Sequence, residues 1–349
     1  MVAQTSSPAW FAPTLTALAE RHDLEPMRTC QLMHGLLDGA LGDVEAAALL
    51  VALRTKGETA QELAAAAAVL REYMVPLTTG RDGLLDTCGT GGDGCGTFNI
   101  STATALVVAA AGVPVVKHGN RAASGRCGSS DVLALLGVPI DGGPERARLC
   151  LERAGLAFCH APLFHPALGA LADLRRRLGV RTLLNALGPL ANPAGASYQL
   201  LGVGRAEWLD PMAGALARLG TERAFLVCGR DGLDEVSLSA PTLVREVQEG
   251  HVREHEWTAA DFGLEPCPLD ELKADSAEAS AATIRAVLAD RPGAARRVVL
   301  ANAAAALLVA GRVASLTEGV GRAAEVISTG RAAAVLAELA RAAPTGRAG

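Results

Sequence analysis

The sequence predicts an α/β protein in which a small helical domain precedes a larger α/β domain with a mostly parallel central sheet. From Thr14 to about Thr78, apolar residues recur at the spacing of helices and do not alternate as in a strand. From Leu84 onward, short apolar runs alternate with Ala-rich helical stretches, a pattern typical of βαβ units around a parallel sheet. A chain of 349 residues also tends to divide into about two domains.

The helical part contains three well-marked segments, at residues 30–37, 44–55 and 59–73. Residues 165–187 again have helical spacing, and we expect them to pack back on the first helices. We therefore predict a helical domain at residues 1–80, completed by about residues 165–190, and an α/β domain at residues 81–349.

The predicted strands are four short apolar runs, at Leu84-Leu85, Pro114–Val116, Ala224–Cys228 and Val298–Leu300. Half of the residues are hydrophobic but only 3% are aromatic, so Ala, Leu and Val must fill the core. Small side chains of this kind favour helices that pack closely.

The composition argues against several classes of protein. A net charge of -5 without any basic run offers no electrostatic surface to nucleic acid or to an anionic membrane. The eight cysteines form no CxxC pair and no zinc-like spacing, as expected for a reduced, cytoplasmic protein. No signal peptide is visible, and the longest apolar runs are shorter than the ~20 residues of a membrane span. We expect neither a nucleic-acid partner nor a membrane partner.

A glycine-rich loop follows the first predicted strand. Five glycines occur within the eight residues from Gly89 to Gly96, and a helix is predicted to start between Asn99 and Thr102. Such a loop exposes backbone N–H groups at the positive end of a helix, where phosphate binds readily. Asn99, Ser101 and Thr102 supply helix caps and further hydrogen-bond donors. The loop therefore predicts an anion site, with an ordinary glycine-rich turn as the alternative.

Two common nucleotide-binding motifs do not fit this loop. Gly89, Gly91 and Gly94 satisfy GxGxxG, but a dinucleotide site expects an acidic residue about 20 residues further on, at the end of the second strand. The second predicted strand, which ends at Val116, is followed instead by the sequence KHGN at residues 117–120, which has the wrong charge. No GK[ST] follows the glycines, so a Walker A site fails as well. A cation and an amide beside a phosphate loop suit a phosphate ester.

The polar stretch continues beyond the second strand as far as Asp131. Ligands of open α/β sheets bind at the carboxyl-terminal edge, where this stretch should lie. It adds possible phosphate contacts at Arg121, Ser124, Arg126, Ser129 and Ser130. A solvated polar loop is the alternative.

An acidic pair, Asp234-Glu235, follows the predicted strand at residues 224–228. Mg²⁺ takes one or two carboxylates together with phosphate oxygens and keeps several waters. Beside a phosphate loop the pair predicts a magnesium site, whereas the same string alone is usually a surface turn or a helix start.

The segment from His165 to Pro193 contains candidate ligands for a small carboxylate. Arg175 and Arg181 are its candidates, because an arginine pairs bidentately with a carboxylate. The alternative is a solvated helix face formed by the three arginines at residues 175–177.

Together these motifs resemble the anthranilate phosphoribosyltransferase family. The matching strings, in chain order, are GTGGDG, TFNIST, KHGN, GSxDVL, HPA, LGxRT, LGPLxNP and DGLDE, and the resemblance spans about Leu15 to Leu339. It implies a fold of the nucleoside phosphorylase/phosphoribosyltransferase type and a homodimer. It also implies transfer of the phosphoribosyl group of phosphoribosyl pyrophosphate to the amine of anthranilate, with release of pyrophosphate, in tryptophan biosynthesis.

The resemblance further implies roles for individual residues. Phosphoribosyl pyrophosphate would be held by Gly89, Gly92, Asp93, Thr97, Asn99, Ser101, Thr102, Lys117 and Ser129. Further substrate contacts would come from Ile100, Gly119, Arg121, Ser124 and Gly125. Ser101, Asp234 and Glu235 would ligate Mg²⁺, and His118, Asn120 and Arg175 would line the anthranilate site. Lys117, Asn120 and Arg175 are the candidate catalytic residues.

The chain departs from the family pattern near the expected acceptor site. Leu168-Gly169 stands in place of Met-Lys, and Asp173 stands in place of a proline, two residues from Arg175, whose guanidinium it could bind. Gly125 and Cys127 replace serines in the polar loop. A different aromatic amine as acceptor is therefore an alternative. A non-catalytic, nucleic-acid-binding paralogue is opposed by the acidic pair and by the net charge.

Overall fold

The amino-terminal part of the protein is a bundle of four helices. A computed structural model describes residues 7–121 and 128–342, and in it the predicted helical segments are present. The helices are α1 (Phe11–Ala19), α2 (Pro26–Leu37), α3 (Asp43–Lys56) and α4 (Ala60–Glu72). Helix α4 begins with a capping box, in which Thr59 Oγ1 accepts from the Glu62 N–H at 3.2 Å and Glu62 Oε2 accepts from the Thr59 N–H at 2.8 Å.

A seven-stranded sheet forms the centre of the larger part, in the order β3-β2-β1-β4-β5-β6-β7. The strands are β1 (Leu85–Gly89), β2 (Val115–Gly119), β3 (Leu156–His160), β4 (Tyr198–Gly202), β5 (Arg223–Gly229), β6 (Thr242–Gln248) and β7 (His251–Trp257). The first five in spatial order pair in parallel, and β6 and β7 continue the sheet as antiparallel strands. The predicted fold class, a helical domain with a mostly parallel sheet, is confirmed.

Helices connect and cover the strands. They are α5 (Ile100–Ala110), α6 (Ser129–Leu135), α7 (Gly143–Ala154), α8 (Ala161–Phe164), α9 (Pro166–Gly169), α10 (Ala172–Leu178), α11 (Leu183–Leu190), α12 (Leu209–Arg218), α13 (Ala277–Leu288), α14 (Ala294–Val309), α15 (Leu316–Ser328) and α16 (Arg331–Arg341). Short 3₁₀ helices lie at Ala206–Trp208, Ala259–Phe262 and Leu269–Leu272. In the described ranges, no helix combines the length and the apolar character needed to cross a membrane.

The two faces of the central strands belong to two different hydrophobic cores, and a third, smaller cluster lies at β2 and β3. Phe225 and Val227 of β5 pack into the core of α5 and α14, whereas Leu226 and Cys228 pack into the core of the helical bundle. Successive side chains of a strand point to opposite faces, so one buried strand can serve both cores. The bundle core also includes residues of α10, α11 and α12. Residues 165–190 thus pack on the first helices, while the division of the chain at residue 80 stays a prediction.

Two features of the sheet differ from the sequence prediction. The strand predicted at Val298–Leu300 is wrong, because these residues lie inside the buried helix α14. A short apolar run of this kind cannot be assigned to a strand or a helix from periodicity alone. Strands β3, β4, β6 and β7 were not predicted. The side chains of β7 are exposed from His251 to Glu256, so no alternation of apolar residues marks that strand.

Candidate active site

The candidate site lies at the carboxyl-terminal edge of the sheet, where β1, β2, β4 and β5 all end in glycine. The loops after β1 and β4 leave neighbouring strands at this edge, which is where open α/β sheets bind their ligands. A Cβ on Gly202 would lie 1.7 Å from the Asp234 carbonyl oxygen. Glycine at this position therefore allows the loop with the acidic pair to close on the end of β4.

The glycine-rich loop connects β1 to α5 at the centre of this edge. Gly91, Gly92, Gly94 and Gly96 have φ values between +63° and +75°, a region that side chains disfavour. At the end of the loop, Ser280 of α13 binds Asn99 twice. Its Oγ accepts from the Asn99 N–H at 2.9 Å and donates to Asn99 Oδ1 at 3.0 Å. The start of α5 is thus fixed from outside the loop.

The structure brings the acidic pair onto this loop. Asp234 Oδ2 accepts a hydrogen bond from the Gly91 N–H at 3.1 Å, and Glu235 Oε1 accepts one from the Ser101 N–H at 3.0 Å. The pair therefore lies against the positive end of α5, where negative charge is favoured.

The carboxyl groups here are crowded and have raised pKa values. Burial is the largest cause for Asp234, whose pKa is well above its usual range, and the neighbouring carboxylates of Asp93 and Glu235 raise it further. Burial also raises the pKa of Glu235 to about 8, although the Lys117 ammonium opposes the shift. Carboxylates that repel one another in this way are stabilised by a cation between them.

The oxygen atoms at this point fit a magnesium ion that is also bound to phosphate. Asp234 and Glu235 each accept a backbone N–H with one carboxylate oxygen, and each has a second oxygen to offer a metal. The Ser101 hydroxyl, the third predicted ligand, lies beside them. Within residues 7–121 and 128–342, no three His, Cys, Asp or Glu side chains are grouped to hold a metal by themselves. Mg²⁺ typically takes one or two carboxylates and completes its shell with phosphate oxygens and water.

Lys117 lies beneath the glycine loop rather than at a strand tip. The prediction that the second strand ends before Lys117 is wrong, since β2 continues to Gly119. The side chain is 2% exposed, and its Nζ donates to the Thr87 carbonyl oxygen and, at 3.0 Å, to Ser101 Oγ. Burial lowers the pKa of Lys117, and the negative charge of fully buried Asp86 opposes that shift. Lys117 thus holds the Ser101 hydroxyl in place by a hydrogen bond.

His118 and His165 form a buried pair beside the loop. Their ring centroids are 4.9 Å apart, and His118 Nδ1 lies 3.0 Å from the Gly188 carbonyl oxygen. In the described part of the chain, His118 Nε2 is buried without a hydrogen bond. Burial lowers the pKa of His118 to about 3 and that of His165 to about 4, so both rings are neutral at pH 7.

This pair predicts a specific acid sensitivity. An unfolded histidine has a pKa of about 6.5, so below that pH the unfolded chain binds more protons than the folded protein. The free energy of unfolding therefore falls as the pH drops from about 6.5 toward the folded values near 4 and 3. We expect each histidine to cost about 2 kcal/mol at pH 5 relative to pH 7, measured by urea unfolding.

Histidine variants distinguish the loss of stability caused by His118 and His165 at low pH from the loss caused by carboxyl groups. His118→Gln and His165→Gln should each flatten the decline between pH 7 and pH 5. His22→Gln, at an exposed histidine, should leave it unchanged. A decline that is identical in all three variants would contradict the assignment.

The remaining predicted residues of the second loop lie at its two ends. Asn120 is exposed, and its carbonyl oxygen accepts from Ser129 Oγ at 3.4 Å. Arg121 is exposed and pairs with Asp131 at 3.2 Å. A Cβ on Gly119 would lie 2.3 Å from Ser129 Oγ, so glycine is needed for this close approach. The predicted contacts at Ser124 and Gly125, together with Arg126 and Cys127, lie outside the described residues.

Three residues that were predicted to contact the phosphoribosyl donor have buried side chains or a backbone that is paired with another segment. Ile100 and Thr102 are each 1% exposed, and the Thr102 hydroxyl has no hydrogen bond within the described ranges. Thr97 forms an isolated antiparallel bridge with Lys273. Ile100 can therefore reach a ligand only through its backbone. The donor-binding roles of all three residues stay predictions.

Arg175 is a half-buried cation on α10. In the described ranges its guanidinium has no hydrogen bond or ion pair, and burial lowers its pKa. The expectation that Asp173 competes for the Arg175 guanidinium is wrong, because the Asp173 carboxylate pairs with Arg176 and Arg177 instead. The helix turn directs Asp173 to the solvent side of α10, so Arg175 keeps its guanidinium for another anion.

Two supporting roles were missed by sequence reasoning. Arg181, considered above only for a carboxylate, donates from Nη1 to the Gly91 carbonyl oxygen and from Nη2 to the Thr90 carbonyl oxygen. Asn302 of α14 binds the backbone of Val236, which is next to the acidic pair. Its Oδ1 accepts from the Val236 N–H at 2.9 Å, and its Nδ2 donates to the Val236 carbonyl oxygen at 3.1 Å. The only sequence signal for Asn302 is a lone amide inside an apolar run.

Comparison with known proteins defines the class to which this fold and site belong. The model described as "Glycosyl transferase family, a/b domain" matches residues 81–333, and the model described as "Glycosyl transferase family, helical bundle domain" matches residues 12–74. The helical bundle, the sheet and the acid-lined glycine loop are thus those of a glycosyl transferase family.

Individual relatives narrow this class. The chain is 47% identical over 325 residues to the anthranilate phosphoribosyltransferase of Anaeromyxobacter sp. strain Fw109-5, covering 93% of this chain and 96% of that one. It is 46% identical over 330 residues to that of Rhodopirellula baltica, covering 95% and 96%. The crystal structure of the Thermus thermophilus enzyme superposes with a TM-score of 0.88 at 43% identity, covering 94% and 98%. The chain belongs to the anthranilate phosphoribosyltransferase family.

A more distant structure carries ligands. The Saccharomyces cerevisiae enzyme, solved in complex with phosphoribosyl pyrophosphate and Mg, superposes with a TM-score of 0.88 at 26% identity, covering 96% of this chain and 98% of that one. The same yeast enzyme has also been solved with 4-fluoroanthranilate.

Proposed function

We propose that this protein transfers the phosphoribosyl group of phosphoribosyl pyrophosphate to the amine of anthranilate and releases pyrophosphate, as a step of tryptophan biosynthesis. The observation that carries the proposal is the pairing of the acidic residues with the phosphate loop. Asp234 binds the Gly91 N–H and Glu235 binds the Ser101 N–H. Membership of the family supplies the reaction, and this geometry supplies a place for a phosphate-bound metal.

The donor's phosphates would lie over the glycine loop and the first turn of α5. Loop amides and the positive end of the helix favour anions at this point. Ser101, Asp234 and Glu235 would hold Mg²⁺, which would neutralise part of the charge on the pyrophosphate leaving group. Lys117 holds the Ser101 hydroxyl from below and adds positive charge under the loop.

The acceptor would lie on the side of the loop that carries Arg175, His118 and Asn120. The Arg175 guanidinium suits the carboxylate of anthranilate, and neutral His118 borders the ring without adding charge. The amine nitrogen attacks C1′ of the ribose with inversion, while the bond from C1′ to the pyrophosphate oxygen breaks. The amine then loses its extra proton to solvent. Because an aryl amine carries a usable lone pair, positioning and electrostatics suffice without an obligatory base.

A second candidate uses the same donor with a different aromatic amine. The observation that favours it is Leu168-Gly169, which stands in place of Met-Lys near the expected acceptor site. Comparing the rates of several aminobenzoates at a fixed donor concentration separates the two candidates.

We also infer a cytoplasmic homodimer. The support is the family resemblance together with large apolar side chains on the outer surface of the bundle. Val44 is 79% exposed and Val51 is 40% exposed, seven residues apart on the same face of α3, and Met27 on α2 is 75% exposed. The mass measured by light scattering distinguishes a dimer from a monomer.

The first test of the proposed function is the decay of anthranilate fluorescence when the protein, phosphoribosyl pyrophosphate and Mg²⁺ are mixed. A control without metal accompanies it. We expect metal-dependent decay with release of one pyrophosphate per anthranilate consumed. Absence of decay, with donor binding still present by calorimetry, would favour the second candidate.

The role of Arg175 is tested by Arg175→Ala. Loss of a charge-assisted pair with the acceptor carboxylate should raise the KM for anthranilate by about 10- to 100-fold. The KM for the donor should change by less than about threefold, because Arg175 contacts only the acceptor in this arrangement. Arg176→Ala, at a neighbouring exposed arginine, is the control. Equal effects of Arg175→Ala on both substrates would reject the assigned role.

A further inference from the structure

We propose that Arg181 is a positioning residue that orients the glycine loop so that the Gly91 N–H binds Asp234 and the Gly92 N–H faces the donor's phosphates. The inference rests on the proposed function, since it assigns the loop to the donor. Arg181 lies between α10 and α11, and both ends of its guanidinium donate to loop carbonyl oxygens, those of Thr90 and Gly91.

These two bonds determine which way the loop peptides face. All peptide bonds of the described residues are trans, so the N–H of each peptide points away from its C=O. Because the Thr90 carbonyl faces Arg181, the following N–H, that of Gly91, faces the opposite side. There it binds Asp234 Oδ2 at 3.1 Å, as this geometry requires.

The next peptide repeats the arrangement. The Gly91 carbonyl also faces Arg181, so the Gly92 N–H points to the side away from the guanidinium. Arg181 and Asp234 therefore lie on opposite faces of this stretch of loop. The side with Asp234 is the one at which phosphate and a cation would meet.

Arg181 also explains why residue 92 is glycine. A Cβ at this position would lie 1.5 Å from Arg181 Nη1, and the φ of +74° disfavours any side chain. Close approach of the guanidinium and a left-handed backbone thus require the same residue. The glycine predicted as a donor contact serves equally to admit Arg181.

The charge of Arg181 lies within reach of both acidic and basic groups. Asp234 and Asp93 favour its positive form, while burial, Arg205 and Arg175 oppose it. The guanidinium remains a cation behind the loop, since an arginine does not lose its proton at neutral pH. It therefore adds to the positive potential at the phosphates in addition to fixing the loop.

The test compares Arg181→Gln and Arg181→Lys with Arg177→Gln as control. Arg177 is an exposed arginine that pairs with Asp43, outside the proposed site. Donor affinity is measured by calorimetry with phosphoribosyl pyrophosphate and Mg²⁺, and the KM of each substrate is measured separately. Thermal unfolding of each variant reports on the fold.

We expect Arg181→Gln to weaken donor binding by roughly 30-fold, which corresponds to the loss of about one hydrogen bond from a charged group. The KM for anthranilate should change by less than about threefold. Arg181→Lys should recover only part of the affinity, because an ammonium cannot bind two carbonyls as a planar fork does. Arg177→Gln should behave as the unmodified protein.

The outcomes separate this inference from the proposed function. If the unmodified protein binds the donor and Arg181→Gln and Arg181→Lys bind it equally well, the inference alone is overturned. Equal increases in both KM values, accompanied by a lower melting temperature, would also overturn it in favour of a merely structural role. If the unmodified protein fails to bind phosphoribosyl pyrophosphate, the proposed function fails and the inference fails with it.

Discussion

Replacing Asp234 and Glu235 together by alanine is expected to lower turnover by at least ~10³-fold, which corresponds to several kcal/mol of lost stabilisation of the leaving group. Both carboxylates lie against the phosphate loop, and the Ser101 hydroxyl is the remaining metal ligand that we predict. The Asp234→Ala/Glu235→Ala variant therefore has one predicted ligand left. Fluorescence decay of anthranilate at saturating Mg²⁺ measures the effect.

The same variant should fold normally without metal. Burial and neighbouring carboxylates raise the pKa of both carboxyl groups, so removing the pair relieves an unfavourable arrangement, and this relief offsets the two lost hydrogen bonds. We expect the free energy of unfolding to change by no more than about 1 kcal/mol. Addition of donor and Mg²⁺, which stabilises the unmodified protein, should no longer raise the melting temperature.

The chain offers a matched control for this double variant. Asp270-Glu271 is the same dipeptide in an exposed 3₁₀ helix, where Asp270 pairs with Lys273. Asp270→Ala/Glu271→Ala should leave turnover and metal dependence unchanged. If Asp234→Ala/Glu235→Ala retains normal turnover, the acidic pair does not belong to a metal site.

Lys117→Met is expected to reduce turnover by at least ~10²-fold and to lower the free energy of unfolding by about 3 kcal/mol. Its Nζ is the only cation that binds both Ser101 Oγ and the Thr87 carbonyl within the described part of the chain. Its removal also leaves Asp86, which is 0% exposed, without the charge that opposes its burial. Chemical denaturation and the fluorescence assay measure the two effects.

A second substitution separates the structural role of Lys117 from its role in turnover. Asp86→Asn in the Lys117→Met background removes the uncompensated charge and should restore most of the stability. Turnover should stay low, because Ser101 still lacks its cation. Lys273→Met, at an exposed lysine, is the control. Recovery of full turnover in the double variant would show that Lys117 serves the fold alone.

The sequence predicted the fold class and the location of the site because both depend on local patterns. Helical spacing marked α2, α3 and α4, and the glycines of the loop after β1 marked an anion site without any tertiary information. The carboxyl ends of parallel strands meet at one edge, so the acidic pair after β5 was expected near that loop.

What could not be predicted depends on contacts between distant parts of the chain. Arg181 and the Gly91 carbonyl oxygen are 90 residues apart in sequence, and a backbone acceptor leaves no trace in residue type. Lys117 was expected at a strand tip because the apolar run stops before it. The strand nevertheless continues, since the charge of Asp86 and the hydroxyl of Ser101 compensate the burial of the ammonium.

The separation of the site's parts along the chain has a consequence for synthesis on the ribosome. Gly91 and Asp234 are 143 residues apart, and Asn302, which binds the backbone of Val236, follows Val236 by a further 66 residues. A growing chain emerges from its amino end, so the phosphate loop appears long before its acidic partners and their anchor. Substrate binding can therefore protect only chains that have extended past α14. We therefore expect a product truncated before that helix to gain no stability from donor or metal and to be degraded by proteases.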